Sequence, residues 1–137
     1  MKLAAMCLLL PFLLSVGANA QAGSSAAKAD CVNPKLATKE DSYMFGRIAA
    51  AIEDLGGGYN TEALHRYASI VKDIEKKDYH PCLRWMAYDG YGESLTIAKK
   101  KDKAIAELTR AVEVAKTLGD AEREESARHM EAAQQLK

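Results

Sequence analysis

Apolar residues recur at three- and four-residue intervals along the chain after residue 38, which is the period of amphipathic α-helices. No segment there shows the β-branched alternation that is typical of a strand. Turn signals divide the pattern into five helices: about Lys39 to Leu55, a second capped by Asn60 or Thr61, a third from Pro81, a fourth after Lys101, and a fifth from Asp120 to about Leu136. The pattern therefore predicts an all-α domain.

Local signals at the helix ends support these boundaries. Thr38 offers an N-cap hydroxyl, with Asp41 three residues later, and the glycines at 56–58 end the first helix. Gly119 is a natural residue to end the fourth helix, and Asp120 is a natural N-cap for the fifth. Short connections of this kind predict antiparallel helical hairpins.

The first 20 residues have the features of an export signal. Lys2 supplies a positive start, an apolar run follows from Leu3 to Val16, and Ala18-Asn19-Ala20 places small residues beside a cleavable bond. We therefore expect a signal peptide at residues 1–20, cleavage after Ala20, and a periplasmic or secreted product.

Two alternatives to a cleaved signal are a membrane anchor and a lipid anchor. Pro11 interrupts the apolar run, which is also shorter than the roughly 20 residues that a membrane span needs. Cys7 comes too early for lipidation, and Cys31 follows Lys28-Ala29-Asp30 instead of a small apolar box. We expect no stable membrane insertion after cleavage.

Removal of 20 residues from the 137 leaves 117, enough for one domain. Residues 21–30 carry no large apolar side chain, so we expect a flexible leader over residues 21–38 and a helical domain over 39–137. Basic and acidic residues number 19 each, and only Lys2 leaves with the signal. This balance argues against nucleic acid as a partner.

Removal of the signal also removes Cys7, which leaves Cys31 and Cys82. In an oxidising compartment an even pair favours one structural disulfide. A redox-active pair is the alternative, but it usually has close C-x-x-C spacing.

Residues 85–118 resemble one tetratricopeptide repeat, a hairpin of two antiparallel helices. The resemblance is carried by large and small residues at the helix crossing: Tyr88, Gly92, Leu95, Ala104 and Ala111. Small residues there let two helix axes approach closely. The resemblance implies a short array of stacked hairpins with a C-terminal capping helix.

A weaker copy of the repeat lies earlier in the chain. Phe45, Gly46 and Ala63 fit the pattern, whereas Ile70 replaces its second small residue. The step from Ala63 to Ala104 is also longer than the roughly 34 residues of the repeat. A plain helical bundle is the alternative architecture.

Candidate chemistry is sparse. His65, His80 and His129 fall on different elements, which predicts surface or turn positions and no metal site. Acidic residues of the last helix, including Glu122 and Glu125, alternate with arginines, which predicts a solvated face. We expect no cofactor and no enzymatic activity.

The resemblance also implies a binding groove, because such arrays line their concave face with the first helix of each hairpin. By that register the groove residues are Tyr43, Arg47, Asp89, Glu93 and Thr96. The predicted function is an exported scaffold or adaptor that binds a protein or peptide segment. The alternatives are a small cell-envelope enzyme or enzyme inhibitor, and a stack completed by homodimerisation or by docking onto a larger array.

Overall fold

The computed structural model describes residues 31–137. The predicted signal peptide and residues 21–30 of the predicted leader lie outside the described residues. Within residues 31–137, no helix has both the length and the apolar character needed to cross a membrane.

The described chain forms five α-helices and contains no strand, which confirms the predicted all-α class. The helices are α1 (Lys39–Gly56), α2 (Asn60–Ile74), α3 (Pro81–Ile97), α4 (Lys101–Ala115) and α5 (Asp120–Gln134). They pack as two successive helix pairs, α1 with α2 and α3 with α4, and α5 covers the end of the stack. The central helix is α3, because it contacts each of the other four.

Helix starts follow local chemistry at three of the five positions. The Thr38 hydroxyl accepts a hydrogen bond from the backbone N–H of Asp41 at 3.0 Å, as predicted. Pro81 occupies the first turn of α3, where a missing N–H costs little. Before α5, the Glu122 carboxylate accepts a hydrogen bond from the backbone N–H of Gly119 at 3.0 Å.

Two predicted caps are wrong by one residue or more. The N-cap position of α2 is Tyr59, with no side-chain hydrogen bond, so Asn60 and Thr61 already lie inside the helix. Gly119 is the N-cap of α5 and Asp120 its first residue, whereas α4 ends earlier, at Ala115.

Close helix packing around α3 depends on two glycines. A Cβ atom on Gly92 would overlap the buried side chain of Leu108 on α4, and one on Gly90 would overlap the ring of Tyr67 on α2. On α4, Ala104 and Ala111 are fully buried. Small side chains therefore let α3 lie directly against both neighbours.

The disulfide partners lie as the sequence predicts, with the sulfurs of Cys31 and Cys82 at bonding distance and the Cα atoms 5.2 Å apart. The bridge joins the segment before α1 to the first turn of α3. Leu36 packs against the core from the same segment. Asp41 accepts a hydrogen bond from the backbone N–H of His80 at 3.1 Å, which holds the start of α1 beside the start of α3.

Loss of this bridge should destabilise the fold. The bridge joins residues 51 positions apart in the sequence. By lowering the conformational entropy of the unfolded chain, it should stabilise the folded state by about 4 kcal/mol. The variant Cys31→Ser/Cys82→Ser should therefore unfold at a clearly lower urea concentration than the parent protein. Thiol titration of unfolded, unreduced parent protein should detect neither of these cysteines. Two reactive thiols would contradict the bridge.

The close approach at Gly92 predicts opposite effects for two glycine substitutions. Gly92→Ala should lower the free energy of unfolding by about 1–3 kcal/mol, because the buried Leu108 must move. Gly46→Ala is the matched control: it lies within α1 with no heavy atom within 4 Å of a new Cβ. There alanine should stabilise by about 0.5–1 kcal/mol. Urea denaturation of both variants measures the difference, and a Gly92→Ala variant as stable as the parent would contradict the packing.

Candidate functional site

A cavity of about 580 Å³ opens between α1, α3 and α5. Part of its lining is apolar and consists chiefly of Phe45, Ala49, Ile52 and Leu55 of α1 and of Trp85 and Met86 of α3. Another part is acidic and consists of Asp89 and Glu93 of α3 and of Glu122 and Glu125 of α5. We call these the apolar wall and the acidic wall.

A buried hydrogen-bond network joins α3 to α5 behind the acidic wall. Asp89 is only 5% exposed, and its Oδ1 accepts a hydrogen bond from the Ser126 hydroxyl at 2.7 Å. The Ser126 oxygen in turn accepts one from the indole N–H of Trp85 at 2.9 Å. The second carboxylate oxygen of Asp89 lies 2.8 Å from Nδ1 of His129. These contacts satisfy a buried carboxylate that would otherwise be costly.

His129 is held between carboxylates. The hydrogen bond with Asp89 raises the pKa of His129 above its ordinary value, although burial acts in the opposite direction. Glu93 and Glu125 raise this pKa further through their charge. The Nε2 atom of the same ring lies 4.0 Å from Oε2 of Glu93.

Glu93 is also perturbed. Burial raises the pKa of its carboxyl above the ordinary value, and the charges of Asp89 and Glu125 add to that rise. His129 and Arg128 act against it. The acidic wall therefore concentrates negative charge in a partly desolvated place.

The geometry does not form a hydrolytic triad. The Ser126 hydroxyl donates a hydrogen bond to Asp89, and the imidazole of His129 also contacts Asp89. A triad needs the imidazole to accept the serine proton. Ser126 is moreover fully buried, so its oxygen cannot reach a substrate in the cavity.

The five predicted groove residues separate into two sets. Asp89 and Glu93 line the cavity. Arg47 pairs with Asp73 of α2 at 2.7 Å, and the exposed ring of Tyr43 has its centre 6.0 Å from that guanidinium. The Thr96 hydroxyl donates to the carbonyl of Gly92 on its own helix. Whether any of the five contacts a partner stays a prediction.

Two sequence-based expectations about α5 are wrong. His129 is not a surface residue, because only 18% of its side chain is exposed and it contacts Asp89. Glu122 is 7% exposed and Glu125 lines the cavity, so neither lies on a freely solvated face. The available signal was spacing: Glu125 and His129 stand four residues apart, as do Asp89 and Glu93.

Comparison with known proteins adds no relative. No protein-family model matches this chain, and no curated protein or solved structure matches it. The resemblance to tetratricopeptide repeats therefore stays a prediction, and the functional argument depends on the geometry of the cavity.

Removal of the Ser126 hydroxyl should be costly. In Ser126→Ala, Asp89 loses a donor and the buried Trp85 N–H loses its acceptor, which should lower the free energy of unfolding by about 1–3 kcal/mol. Ser94→Ala is the matched control, because that equally buried hydroxyl bonds only to the carbonyl of Gly90 one turn earlier. Urea denaturation should show a clearly smaller loss for Ser94→Ala. Equal losses would show that the network contributes nothing beyond packing.

Proposed function

We propose that this chain is an exported interaction module of the tetratricopeptide type, a scaffold or adaptor that binds a protein or peptide segment between α1, α3 and α5. The observation that carries the proposal is the cavity of about 580 Å³, which is lined by both the apolar wall and the acidic wall. A concave site of this kind accepts a side chain or a short segment of a partner.

The apolar wall supports a partner with a large apolar side chain. Ile52 is 50% exposed although it lies beside Phe45 and Leu55 on the cavity side of α1. Covering such a group of apolar side chains removes it from water, which favours association by about 25 cal/mol per Å² of apolar surface before the costs of binding.

The acidic wall supports a basic residue in the same partner segment. The charges of Asp89 and Glu125 raise the pKa of Glu93, so both carboxylates lie near it. A lysine or arginine from a partner would offset this negative charge and fix the direction of the bound segment. The cavity therefore favours a segment in which an apolar and a basic residue are neighbours.

Export is supported by the predicted signal peptide together with the bonded cysteines. Disulfides persist in the periplasm and outside the cell, whereas the cytoplasm keeps most thiols reduced. Cys31 and Cys82 are both buried, and their bridge holds α3 to the segment that precedes α1.

One observation favours the alternative of a small cell-envelope enzyme or enzyme inhibitor. Glu93, which lines the cavity, and its neighbour His129 both have raised pKa values, and perturbed pKa values are a feature of catalytic sites. In such an enzyme these two groups would act as general acid and general base.

Selection from a phage-displayed library of random peptides tests the proposal. The enriched peptides should combine a large apolar residue with a neighbouring lysine or arginine. Fluorescence anisotropy should then show that Ile52→Ser, and separately Glu93→Gln/Glu125→Gln, weaken binding at least about tenfold, or 1.4 kcal/mol.

Two controls match these variants. Ile97→Ser removes an isoleucine of similar exposure that does not line the cavity, and Glu124→Gln removes an exposed charge next to Glu125. Both should bind the selected peptides as the parent does. The proposal is wrong if no related peptides are enriched, or if the cavity variants bind as tightly as the controls.

A further inference from the structure

Two helices bring their polar side chains together at the acidic wall. Asp89 and Glu93 are one turn apart on α3, and Glu125 and His129 are one turn apart on α5. One donor atom from each of Asp89, Glu125 and His129 lies within 4.8 Å of the other two. One carboxylate from α3 thus lies close to a carboxylate and an imidazole from α5.

These separations are near those of a metal centre. With bonds of 2.0–2.2 Å, two ligand atoms on one tetrahedral zinc ion lie about 3.3 Å apart. The Asp89 Oδ2 to His129 Nδ1 distance is 2.8 Å, so a small widening suffices there. All three donor atoms lie within 4.8 Å of one another, and the half-buried Glu125 side chain lines the cavity.

Two further polar side chains, Ser126 and Glu93, lie next to the three donor residues. Ser126 holds Oδ1 of Asp89, which leaves Oδ2 directed at the imidazole. The second ring nitrogen of His129 lies 4.0 Å from Oε2 of Glu93, which is an ion-pair distance that would have to shorten to form a hydrogen bond. Metal-bound histidines commonly donate their other ring N–H to a carboxylate, and metal-bound carboxylates are commonly hydrogen-bonded in turn.

The charge of the carboxylates and the presence of an imidazole indicate which class of metal ion the site would bind. Asp89, Glu93 and Glu125 bring three carboxylates to a place where His129 and Arg128 are the two basic side chains that act on Glu93. A divalent cation would offset that excess. An imidazole among the donors favours first-row transition metals over calcium and magnesium, which prefer oxygen ligands alone.

We propose that Asp89, Glu125 and His129 bind one divalent transition-metal cation of the zinc class, with Glu93 positioning the imidazole and with one coordination position open to the cavity. The donors come from α3 and α5, so the ion would join these two helices. Metal binding at this site does not require the proposed peptide partner.

Calorimetric titration with zinc chloride tests the site on full-length, disulfide-bonded protein freed of metal with EDTA and then desalted. The parent should bind one equivalent, and its melting temperature should rise with zinc but not with calcium. Glu125→Gln and, separately, His129→Gln should weaken zinc binding at least about tenfold. Both variants should keep the circular dichroism spectrum of the parent, which separates loss of the site from loss of the fold.

Two control variants and one spectroscopic readout complete the test. Glu124→Gln changes the same charge on the exposed side of α5, and His65→Gln removes an exposed histidine of α2, so both should bind zinc as the parent does. Zinc should shift the ring NMR signals of His129 and leave those of His65 in place. The proposal is overturned if the parent shows no saturable binding of one equivalent, or if binding is unchanged in His129→Gln. No peptide is present, so failure of the proposed function leaves these results unaffected.

Discussion

The structure depends on the close approach of α3 to the helices on either side of it. At Gly90 the Tyr67 ring of α2 occupies the space of a Cβ atom, and at Gly92 the Leu108 side chain of α4 does the same. Because both contacts lie within one turn of α3, this helix is held by two neighbours at once. The same helix also contacts α1 and α5, and the cavity lies between these three helices.

The position of α5 determines the chemistry of that cavity. Asp89 leaves water when α5 packs, and a buried carboxylate requires partners. Ser126 and His129 provide them from α5, and Trp85 completes the network from α3. The contacts that dock the last helix therefore also bring Glu125 towards Glu93. Stability and the concentration of negative charge come from one arrangement.

This arrangement is compatible with both proposals because they use different properties of one site. Peptide binding uses the volume of the cavity and the contrast between its two walls. Metal binding uses the identity and separation of three donor atoms on α3 and α5. An ion at the acidic wall would reduce its negative charge, so a basic partner and the metal would compete electrostatically.

Much of the fold was determined by the sequence, because its signals act over a few residues. The period of apolar residues defined five helices, Thr38 and Pro81 marked two of their starts, and the small residues at Gly92 and Ala104 indicated a close helix crossing. The disulfide was predictable because removal of the signal leaves two cysteines, Cys31 and Cys82. Asn60 and Gly119 were misassigned because several turn-forming residues stand together there, and the packing of the flanking helices selects among them.

Only the tertiary structure decided which charged residues face the cavity. The last helix has few apolar residues, so its periodicity does not show which side is buried, and His129 and Glu125 were read as solvated. Arg47 likewise pairs with Asp73, 26 residues away, which no local pattern reveals. The choice depends on how α5 docks against α3, because the buried Asp89 carboxylate needs hydrogen-bond partners, and α5 supplies them.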